Sequence, residues 1–379
     1  MKSIIIITSE FPPLPGGIGN HACNLAKALQ EQGFEVTVLT DFRTTDQKKE
    51  IAFDQALPFR VIRIPRYIPA LRTYWQRWAQ AYRLLQAKDA MIVLASGKFS
   101  LWLGALGQLL FPRHRYLAVV HGSEVNPSGR LSKCLTHWSF GRFEKRIAVS
   151  HFTAQLLLQV NADFDAKVIH NGFSPTDSET SDAPIKLSGY PALITVGNVT
   201  YRKGQQNVIK ALPLIRQKYP QVHYHIVGMP TEKRAFLQLA KELGVAACIT
   251  FHGVVSDTER TRLLQGADIF MMLSDHLANG DVEGFGIAIL EANHLGIPAI
   301  GAEDSGVADA IKHKVSGILI DPHLPTRILE AIEDIMGQYS TYSESAGRWS
   351  KQFLWDKIIL QYRAEIMGKE FSKKASAKF

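Results

Sequence analysis

The chain has 379 residues and a formal net charge of +8; hydrophobic residues make up 46% of it and charged residues 21%. This composition excludes disordered and fibrous proteins, and the length predicts two domains. No stretch approaches the ~20 uninterrupted apolar residues of a membrane span, and the run Ile4–Ile7 is too short for a signal-peptide core. Three widely spaced cysteines without a CxxC pair indicate reduced cytosolic thiols.

The positive charge is confined to the first half of the chain. Residues 1–172 hold 21 Lys and Arg against 12 Asp and Glu, a net charge of +9, whereas residues 173–379 hold 22 against 23, a net charge of −1. A one-sided basic surface suits an anionic partner such as membrane lipid, nucleic acid or a phosphorylated acceptor. A solvated face without a partner explains the same pattern.

Short apolar runs, each followed by a polar turn and a helical pattern, predict parallel sheets covered by helices on both faces. The predicted strands are Ile4–Thr8, Glu35–Thr40, Met91–Ala95, Leu117–His121, Arg146–Ser150, Ala192–Gly197, His223–Gly228, Ile249–Gly253, Ile269–Leu273 and Pro298–Gly301. Two such series predict an α/β protein of two Rossmann-like, doubly wound domains. We place these domains at residues 1–172 and 191–348, with the Ser-, Thr-, Asp- and Pro-rich segment 173–190 as a linker.

The first motif, FPPLPGGIG at Phe11–Gly19, follows the first predicted strand and precedes a predicted helix at Asn20–Gln32. Gly16 and Gly17 would let the backbone approach a phosphate at the helix N-terminus. The spacing is not GxGxxG, which disfavours a dinucleotide-dependent dehydrogenase. A tight turn that requires positive φ would also account for the two glycines.

Polar side chains follow two further predicted strands. His121, in the sequence His-Gly-Ser-Glu124, could contact a sugar hydroxyl, a phosphate or an acceptor, or could bond only to backbone. Arg202 and Lys203 follow the strand that ends at Gly197 and offer a planar fork and a point charge to a diphosphate. Solvated surface charge is the alternative for this pair.

The most specific motif is EGFGIAILE, which begins at Glu283 and ends at Glu291. A helix that begins near Gly286 would direct its N-terminus at an anion, with Glu283 in the preceding loop beside a transferred sugar. Glu291 could then reach ribose hydroxyls from inside the helix, as acidic residues do in nucleotide-binding Rossmann units. Alternatively, the two glutamates have no joint role.

The usual metal, hydrolase and NTPase signatures are missing from the sequence. Asp163-Phe-Asp165 is predicted to be a surface turn, because no suitable strand precedes it, and no His/Cys cluster has zinc spacing. Gly-x-Ser-x-Gly and GxxxxGK[ST] are absent.

At Glu283-x7-Glu291 the sequence resembles family 4 of the retaining glycosyltransferases, whose GT-B fold has two Rossmann-like domains facing across a cleft. The likeness covers about residues 4–365, and further motifs occur in the order that such enzymes show: Gly16-Gly17, His121–Glu124, Val149–Thr153, Asn171-Gly172, Arg202–Gly204, Gly296–Ile300 and Ser316–Pro322. The resemblance implies an N-terminal acceptor-binding domain and a C-terminal domain that binds a nucleotide sugar, with UDP or GDP as the expected nucleotide. It implies no metal or other cofactor.

The resemblance also implies roles for individual residues. His121 and Glu283 would be the catalytic residues near the transferred sugar, and Glu291 would bind the ribose. Glu10, Asn20, His21 and Glu124 are candidate acceptor contacts. The donor diphosphate would contact a larger set: Gly16, Gly17, Arg202, Lys203, Gly284, Phe285 and Gly286.

This sequence departs from the family pattern at two places. Many relatives carry Gly-Arg after the first strand of the second domain, where this chain has Gly197-Asn198, so Arg202 would substitute from a different angle. Relatives also often have Pro-Asn-Gly where this chain has His170-Asn171-Gly172. At the C-terminus, the resemblance implies that a helix at about 349–366 packs back on the first domain; an ordinary capping helix of the second domain is the alternative. A flexible basic tail is predicted at 367–379.

The acceptor is expected to be a glycan or a lipid-linked molecule of a bacterial-type cell envelope. Residues 60–88 interleave arginines with aromatic residues, and with the apolar stretch Leu101–Phe111 they predict an anionic membrane surface as a partner of residues 60–115. A core-facing aromatic stripe is the alternative. We therefore expect a cytoplasmic protein, peripheral on the inner face of the plasma membrane. A nucleic-acid partner is not expected because no recognised module is present. A non-catalytic sugar- or nucleotide-binding protein of the same fold remains the rival function.

Overall fold

The computed structural model describes residues 2–68, 70–87, 91–175 and 183–368. The chain forms two compact units. The first unit contains the chain up to Gly172 together with the segment that begins at Trp355, and the second unit is Phe173–Leu354. Lys88, part of the predicted linker (176–182) and the predicted tail from residue 369 onward lie outside the described residues.

The strands follow the apolar runs of the sequence. They are β1 Ser3–Thr8, β2 Glu35–Asp41, β3 Arg60–Ile64, β4 Ile92–Ser96, β5 Arg115–Val120, β6 Lys145–Ala148, β7 Lys167–Val168, β8 Ala192–Val196, β9 His223–Val227, β10 Ile249–Gly253, β11 Ile269–Met272, β12 Ala299–Ala302 and β13 Gly317–Ile320.

The α-helices alternate with these strands. They are α1 Gly17–Glu31, α2 Lys48–Gln55, α3 Ala70–Gln86, α4 Lys98–Leu110, α5 Arg130–Phe140, α6 His151–Val160, α7 Gln205–Lys218, α8 Lys233–Glu242, α9 Asp257–Gln265, α10 Ile287–His294, α11 Pro325–Gly337, α12 Tyr339–Ser350 and α13 Trp355–Met367. No helix within the described ranges is both long and apolar enough to cross a membrane.

Each unit is built on one parallel sheet. The strand order is β3-β2-β1-β4-β5-β6-β7 in the first unit and β10-β9-β8-β11-β12-β13 in the second. The central strands β1, β4 and β8 are almost wholly apolar and buried, because helices cover both faces of a parallel sheet. The predicted class, α/β with two doubly wound parallel sheets, is confirmed. The C-terminal ends of the strands, where such sheets bind ligands, carry the residues described below.

The ten predicted strands are present within two residues of their predicted bounds, and three others were missed. β3 was missed because its arginines at 60 and 63 were assigned to a membrane surface. Arg63 is instead buried, with its side chain 2% exposed and paired with Glu50 at 2.9 Å and Asp54 at 2.7 Å. β7 spans only two residues and has no readable pattern. β13 lies inside the motif Ser316–Pro322, which was noted but not assigned as a strand.

The predicted helix at about 349–366 is two helices. α12 ends at Ser350, a short 3-10 turn covers Lys351–Phe353, and Leu354 is extended with ψ 143° before α13 begins. The chain passes from the second unit to the first at this break. Ile358 and Tyr362 of α13 are buried, and α13 packs on α1 in the first unit.

Candidate functional site

A buried carboxylate lies between two cations in the second unit. Arg202 and Lys203 occupy a 3-10 turn after β8, and Glu283, only 8% exposed, lies in the loop before α10. Oε2 of Glu283 accepts a hydrogen bond from Arg202 Nη1 and lies 2.8 Å from Lys203 Nζ. Arg202 Nε also lies 3.2 Å from Asp281 Oδ2. The structure thus brings together the three residues that the sequence predicted at the sugar and the diphosphate.

The electrostatics of this cluster fix its charge state. Burial alone would raise the pKa of Glu283, but Lys203 and Arg202 outweigh burial and lower this pKa to about 2. Burial lowers the pKa of Lys203, and the carboxylate of Glu283 opposes that shift. With Asp281, the cluster combines two cations and two carboxylates. A diphosphate that binds here must compete with Glu283 for the same two cations.

Glycine sets the position of the cationic turn. Gly204, directly after Lys203, has φ +76°, and a Cβ at this residue would lie 1.6 Å from the carbonyl oxygen of Leu273. The turn therefore packs against the chain just beyond β11, where Asp275 N donates to Arg202 O at 3.0 Å. Only glycine fits this contact, which places Arg202 and Lys203 at the C-terminal edge of the sheet.

The loop that carries Glu283 is fixed on both sides. Phe285 is 1% exposed and packs on Phe353 with ring centroids 5.9 Å apart. Gly306 N donates to Glu283 O at 3.0 Å, and a Cβ on Gly306 would lie 2.1 Å from Gly284 O. α10 begins at Ile287, one residue after the predicted start, so its positive N-terminus follows this loop directly.

Glu291 lies apart from this cluster, inside α10. Its side chain is about one quarter exposed (26%) and its Oε1 lies 3.6 Å from Arg260 Nη2 on α9. Burial raises the pKa of Glu291, and Arg260 opposes this shift. Arg260 also contacts Asp257 at 2.9 Å. The sequence did not single out Arg260, because α9 carries several charged residues and no local pattern distinguishes this one.

In the first unit, the glycine loop precedes α1. Gly16 is extended, with φ 169°, and Gly17 is the first residue of α1, so neither lies in the left-handed region and the alternative explanation by a tight turn is wrong. A Cβ on Gly16 would instead lie 2.2 Å from Glu10 Oε2. Arg43 Nη1 donates to Leu14 O and Pro15 O at 3.2 Å, which holds the loop at the N-terminus of α1.

His121 lies directly after β5 and is held from three directions. Its Nε2 lies 2.9 Å from Ser96 Oγ, its main-chain N–H donates to Glu124 Oε1 at 2.7 Å, and the ring of His21 meets its ring edge-on at 5.0 Å. Burial lowers the pKa of His121 to about 4, so the imidazole is neutral at pH 7. Burial raises the pKa of Glu124 to about 7, although main-chain N–H groups oppose this shift.

Two of the four candidate acceptor contacts lie beneath His121. His21 is 1% exposed and its Nε2 lies 3.0 Å from Tyr362 Oη, and Glu124 is 3% exposed. Both side chains therefore face the interior as partners of His121, and the prediction that they contact an acceptor directly needs this correction. Glu10 is partly exposed and Asn20 is exposed at the start of α1.

The sequence missed Ser96 and Tyr362. Ser96 is the last residue of β4, and the C-terminal position of a polar residue on a buried strand was the available signal. Tyr362 is 341 residues from His21 and no local pattern relates them. Asp163 and Asp165 are exposed in the turn before β7, as predicted.

Comparisons with known proteins agree with this architecture. The model described as "Glycosyltransferase Family 4" matches residues 15–177, and the model described as "Glycosyl transferases group 1" matches residues 177–352. Together with the two parallel sheets, these matches define the class of GT-B glycosyltransferases. The chain belongs to glycosyltransferase family 4.

Similar proteins cover the chain from end to end. The GDP-mannose-dependent alpha-(1-6)-phosphatidylinositol monomannoside mannosyltransferase of Mycobacterium tuberculosis is 26% identical, with 98% of this chain and 100% of that protein covered. A GDP-mannose-dependent monoacylated alpha-(1-6)-phosphatidylinositol monomannoside mannosyltransferase of Corynebacterium glutamicum is 25% identical over 98% of this chain and 97% of its own. Anabaena Alr3699/HepE in complex with UDP and glucose has the same fold, with a TM-score of 0.75, 20% identity and coverage of 97% and 100%.

Proposed function

We propose that this glycosyltransferase transfers a hexose from a nucleotide sugar to a glycan or lipid-linked acceptor of a bacterial-type cell envelope, with retention of anomeric configuration and without a metal. The observation that carries the proposal is the carboxylate of Glu283 between Arg202 and Lys203 at the N-terminus of α10. Cations and a helix N-terminus at one point offset the charge of a leaving diphosphate, which is the task that a metal performs in other transferases.

The donor site of the proposal lies in the second unit. Arg202 and Lys203 exchange Glu283 for the donor diphosphate, with main-chain support from Gly284, Phe285 and Gly286. The released carboxylate of Glu283 then accepts hydrogen bonds from hydroxyls of the transferred sugar. Glu291 binds the ribose. Gly16 and Gly17 supply further main-chain contacts to the phosphates.

The acceptor site of the proposal lies in the first unit, at His121, Glu10 and Asn20. In the transfer step, the bond between the anomeric carbon and the diphosphate oxygen breaks, and a bond to the acceptor oxygen forms on the same face of the sugar. The acceptor proton passes to the leaving diphosphate. Neutral His121 holds the sugar by one hydrogen bond through Nδ1, because Ser96 occupies Nε2.

GDP-mannose is the first donor to test, because the two full-length relatives are named for their dependence on it. UDP-glucose is the second, because UDP and glucose occupy a structural neighbour. A thermal-shift and hydrolysis panel of nucleotide sugars, in the presence of EDTA, tests donor identity and metal independence together. A ligand that binds only the folded chain raises the melting temperature by mass action. Stabilisation without hydrolysis or transfer would favour the non-catalytic rival.

The stereochemical proposal has its own test. Proton NMR of the product should show the same anomeric configuration as the donor. A glycosyl-enzyme trapped with a slow fluorinated donor and detected by mass spectrometry would contradict transfer on a single face.

Membrane docking through residues 60–115 is also part of the proposal. Leu71 and Trp75 of α3 are 77% and 67% exposed, and the side chain of Arg66 is 55% exposed. Arg63 and Arg77 are committed to ion pairs, so they cannot contribute to the docking surface. An amphipathic helix of this kind docks on anionic lipid.

Vesicle co-sedimentation tests the docking surface. Wild-type protein should bind phosphatidylglycerol-containing vesicles at low salt and should detach as salt rises. Trp75→Asp should abolish binding, whereas Val254→Asp, at a residue of the second unit that is 69% exposed, should not. Equal binding of both variants would contradict this surface.

A further inference from the structure

The C-terminal helix α13, which belongs to the first unit, packs beside the predicted catalytic histidine. Trp355 and Tyr362 of α13 both pack on His21, with ring centroids 5.4 Å and 5.9 Å away. His21 in turn meets the ring of His121 at 5.0 Å and an interplanar angle of 77°. Four aromatic side chains thus form one buried cluster of tilted and edge-on rings, which connects α13 to His121.

A hydrogen bond from Tyr362 holds His21, the central residue of this cluster. Tyr362 is fully buried, and its Oη lies 3.0 Å from Nε2 of His21. No described residue bonds to Nδ1 of His21, which is buried. Removing the tyrosine hydroxyl would leave both ring nitrogens of a buried imidazole without a partner, and a buried polar group without a partner is costly. The imidazole of His21 would then rotate or take a water molecule as its hydrogen-bond partner.

A movement of the His21 ring would change the packing against the ring of His121. Within the described part of the chain, the ring of His121 has one hydrogen bond, to Ser96, and otherwise packs edge-on against His21. One hydrogen bond does not by itself fix the side-chain torsions of His121. Packing against His21 therefore has to supply the remaining constraint on the orientation of the ring. The main-chain bond to Glu124 fixes the backbone of His121 but not its ring.

We propose that Tyr362 is a positioning residue, which acts through His21 to hold the ring of His121 in the orientation that transfer needs. This proposal rests on the proposed function of His121. The helix α13, which follows Leu354, would then contribute more than packing to the first unit. It supplies the hydroxyl of Tyr362, which holds His21 against His121.

The test is Tyr362→Phe in the full chain, with Tyr116→Phe as the matched control. Tyr116 is a buried tyrosine of the same unit whose hydroxyl donates to Phe111 O at 3.2 Å, away from His21. Both variants lose one buried hydroxyl, so both should lower the melting temperature. Only Tyr362→Phe should lower kcat, by about tenfold and with little change in the KM for the donor. Equal kcat in the two variants would overturn the proposal.

A second measurement separates this proposal from the proposed function. The ring 15N signals of His121, assigned through His121→Asn, report orientation and tautomer without any turnover. They should shift in Tyr362→Phe and stay unchanged in Tyr116→Phe, even if no donor in the panel is transferred. Unchanged signals in both variants would overturn the positioning role, whatever the activity of the protein.

A double-variant cycle tests the route through His21. If Tyr362 acts only through His21, adding Tyr362→Phe to His21→Phe should cause no further loss of kcat. Additive losses would show that α13 reaches His121 by another path and would overturn the proposed route.

Discussion

The carboxylate of Glu283 should contribute measurably to the stability of the second unit. Its pKa falls from an ordinary value of 4.5 to about 2 in the folded chain. At about 1.36 kcal/mol for each pH unit, the charged form stabilises the fold by about 3 kcal/mol at neutral pH. Because the folded pKa is the lower one, this contribution is complete above about pH 4.5 and is lost as the pH falls through about 2.

Glu283→Gln removes that contribution and leaves Arg202 and Lys203 without their shared partner. We expect the free energy of unfolding of the second unit to fall by about 3 kcal/mol at pH 7. In a urea titration this corresponds to a midpoint lower by about 1–2 M. Pulse-labelling hydrogen exchange with mass spectrometry, reading peptides from β8 and β11, separates this unit from the other.

A matched control is available in the same unit. Glu330 pairs with Arg327 on the surface, with side chains 59% and 62% exposed, so Glu330→Gln should cost less than about 1 kcal/mol. The difference between wild type and Glu283→Gln should also shrink below about pH 4.5, because the unfolded wild-type chain takes up a proton on this carboxyl group while the folded chain keeps it charged down to about pH 2. A Glu283→Gln midpoint equal to that of Glu330→Gln would refute the buried ion cluster.

Three further results are expected. Gly306→Ala should weaken donor binding by displacing Gly284, whose carbonyl oxygen would lie 2.1 Å from the new Cβ, whereas Gly337→Ala, with nothing within 4 Å, should bind donor normally in calorimetry. Glu124→Gln should raise the melting temperature at pH 8 but not at pH 4, because the raised pKa of Glu124 costs stability as the pH rises from about 4.5 to about 7; equal gains at both pH values would contradict this. The rate of transfer should show no inflection near pH 6.5 from His121, because burial lowers its pKa to about 4, and His121→Asn should leave the profile above pH 5 unchanged in shape.

Much of the architecture can be predicted from local sequence patterns. The apolar runs of β1 and β8 and the motif at Glu283 can each be recognised from a short stretch of sequence. β3 could not be recognised in this way, because its Arg63 is neutralised by Glu50 and Asp54 on another element, and only the folded chain shows that pairing.

The sequence could predict which residues form the cluster in the second unit, but not which of their side chains pair with one another. The sequence assigned Arg202 and Lys203 to the donor diphosphate and Glu283 to the transferred sugar, which predicts that the three residues share one donor site. It could not show that Glu283 pairs with both cations, because this pairing depends on side-chain distances between residues that are far apart in the sequence, 81 positions for Arg202 and Glu283. The burial of His21, which was predicted as an acceptor contact, could not be foreseen for the same reason, since its partner Tyr362 comes from the other end of the sequence.

The most direct test of the account is calorimetric titration of GDP and UDP into the protein with EDTA present. One of the two nucleotides should bind, and Lys203→Met should weaken binding by tenfold or more, roughly the effect of removing one partner of a buried charge pair. Lys210→Met, at an exposed lysine of the same unit, should bind like wild type. Equal affinity of the Lys203 and Lys210 variants, or no binding of either nucleotide to the wild type, would contradict the assignment of the donor diphosphate to Arg202 and Lys203.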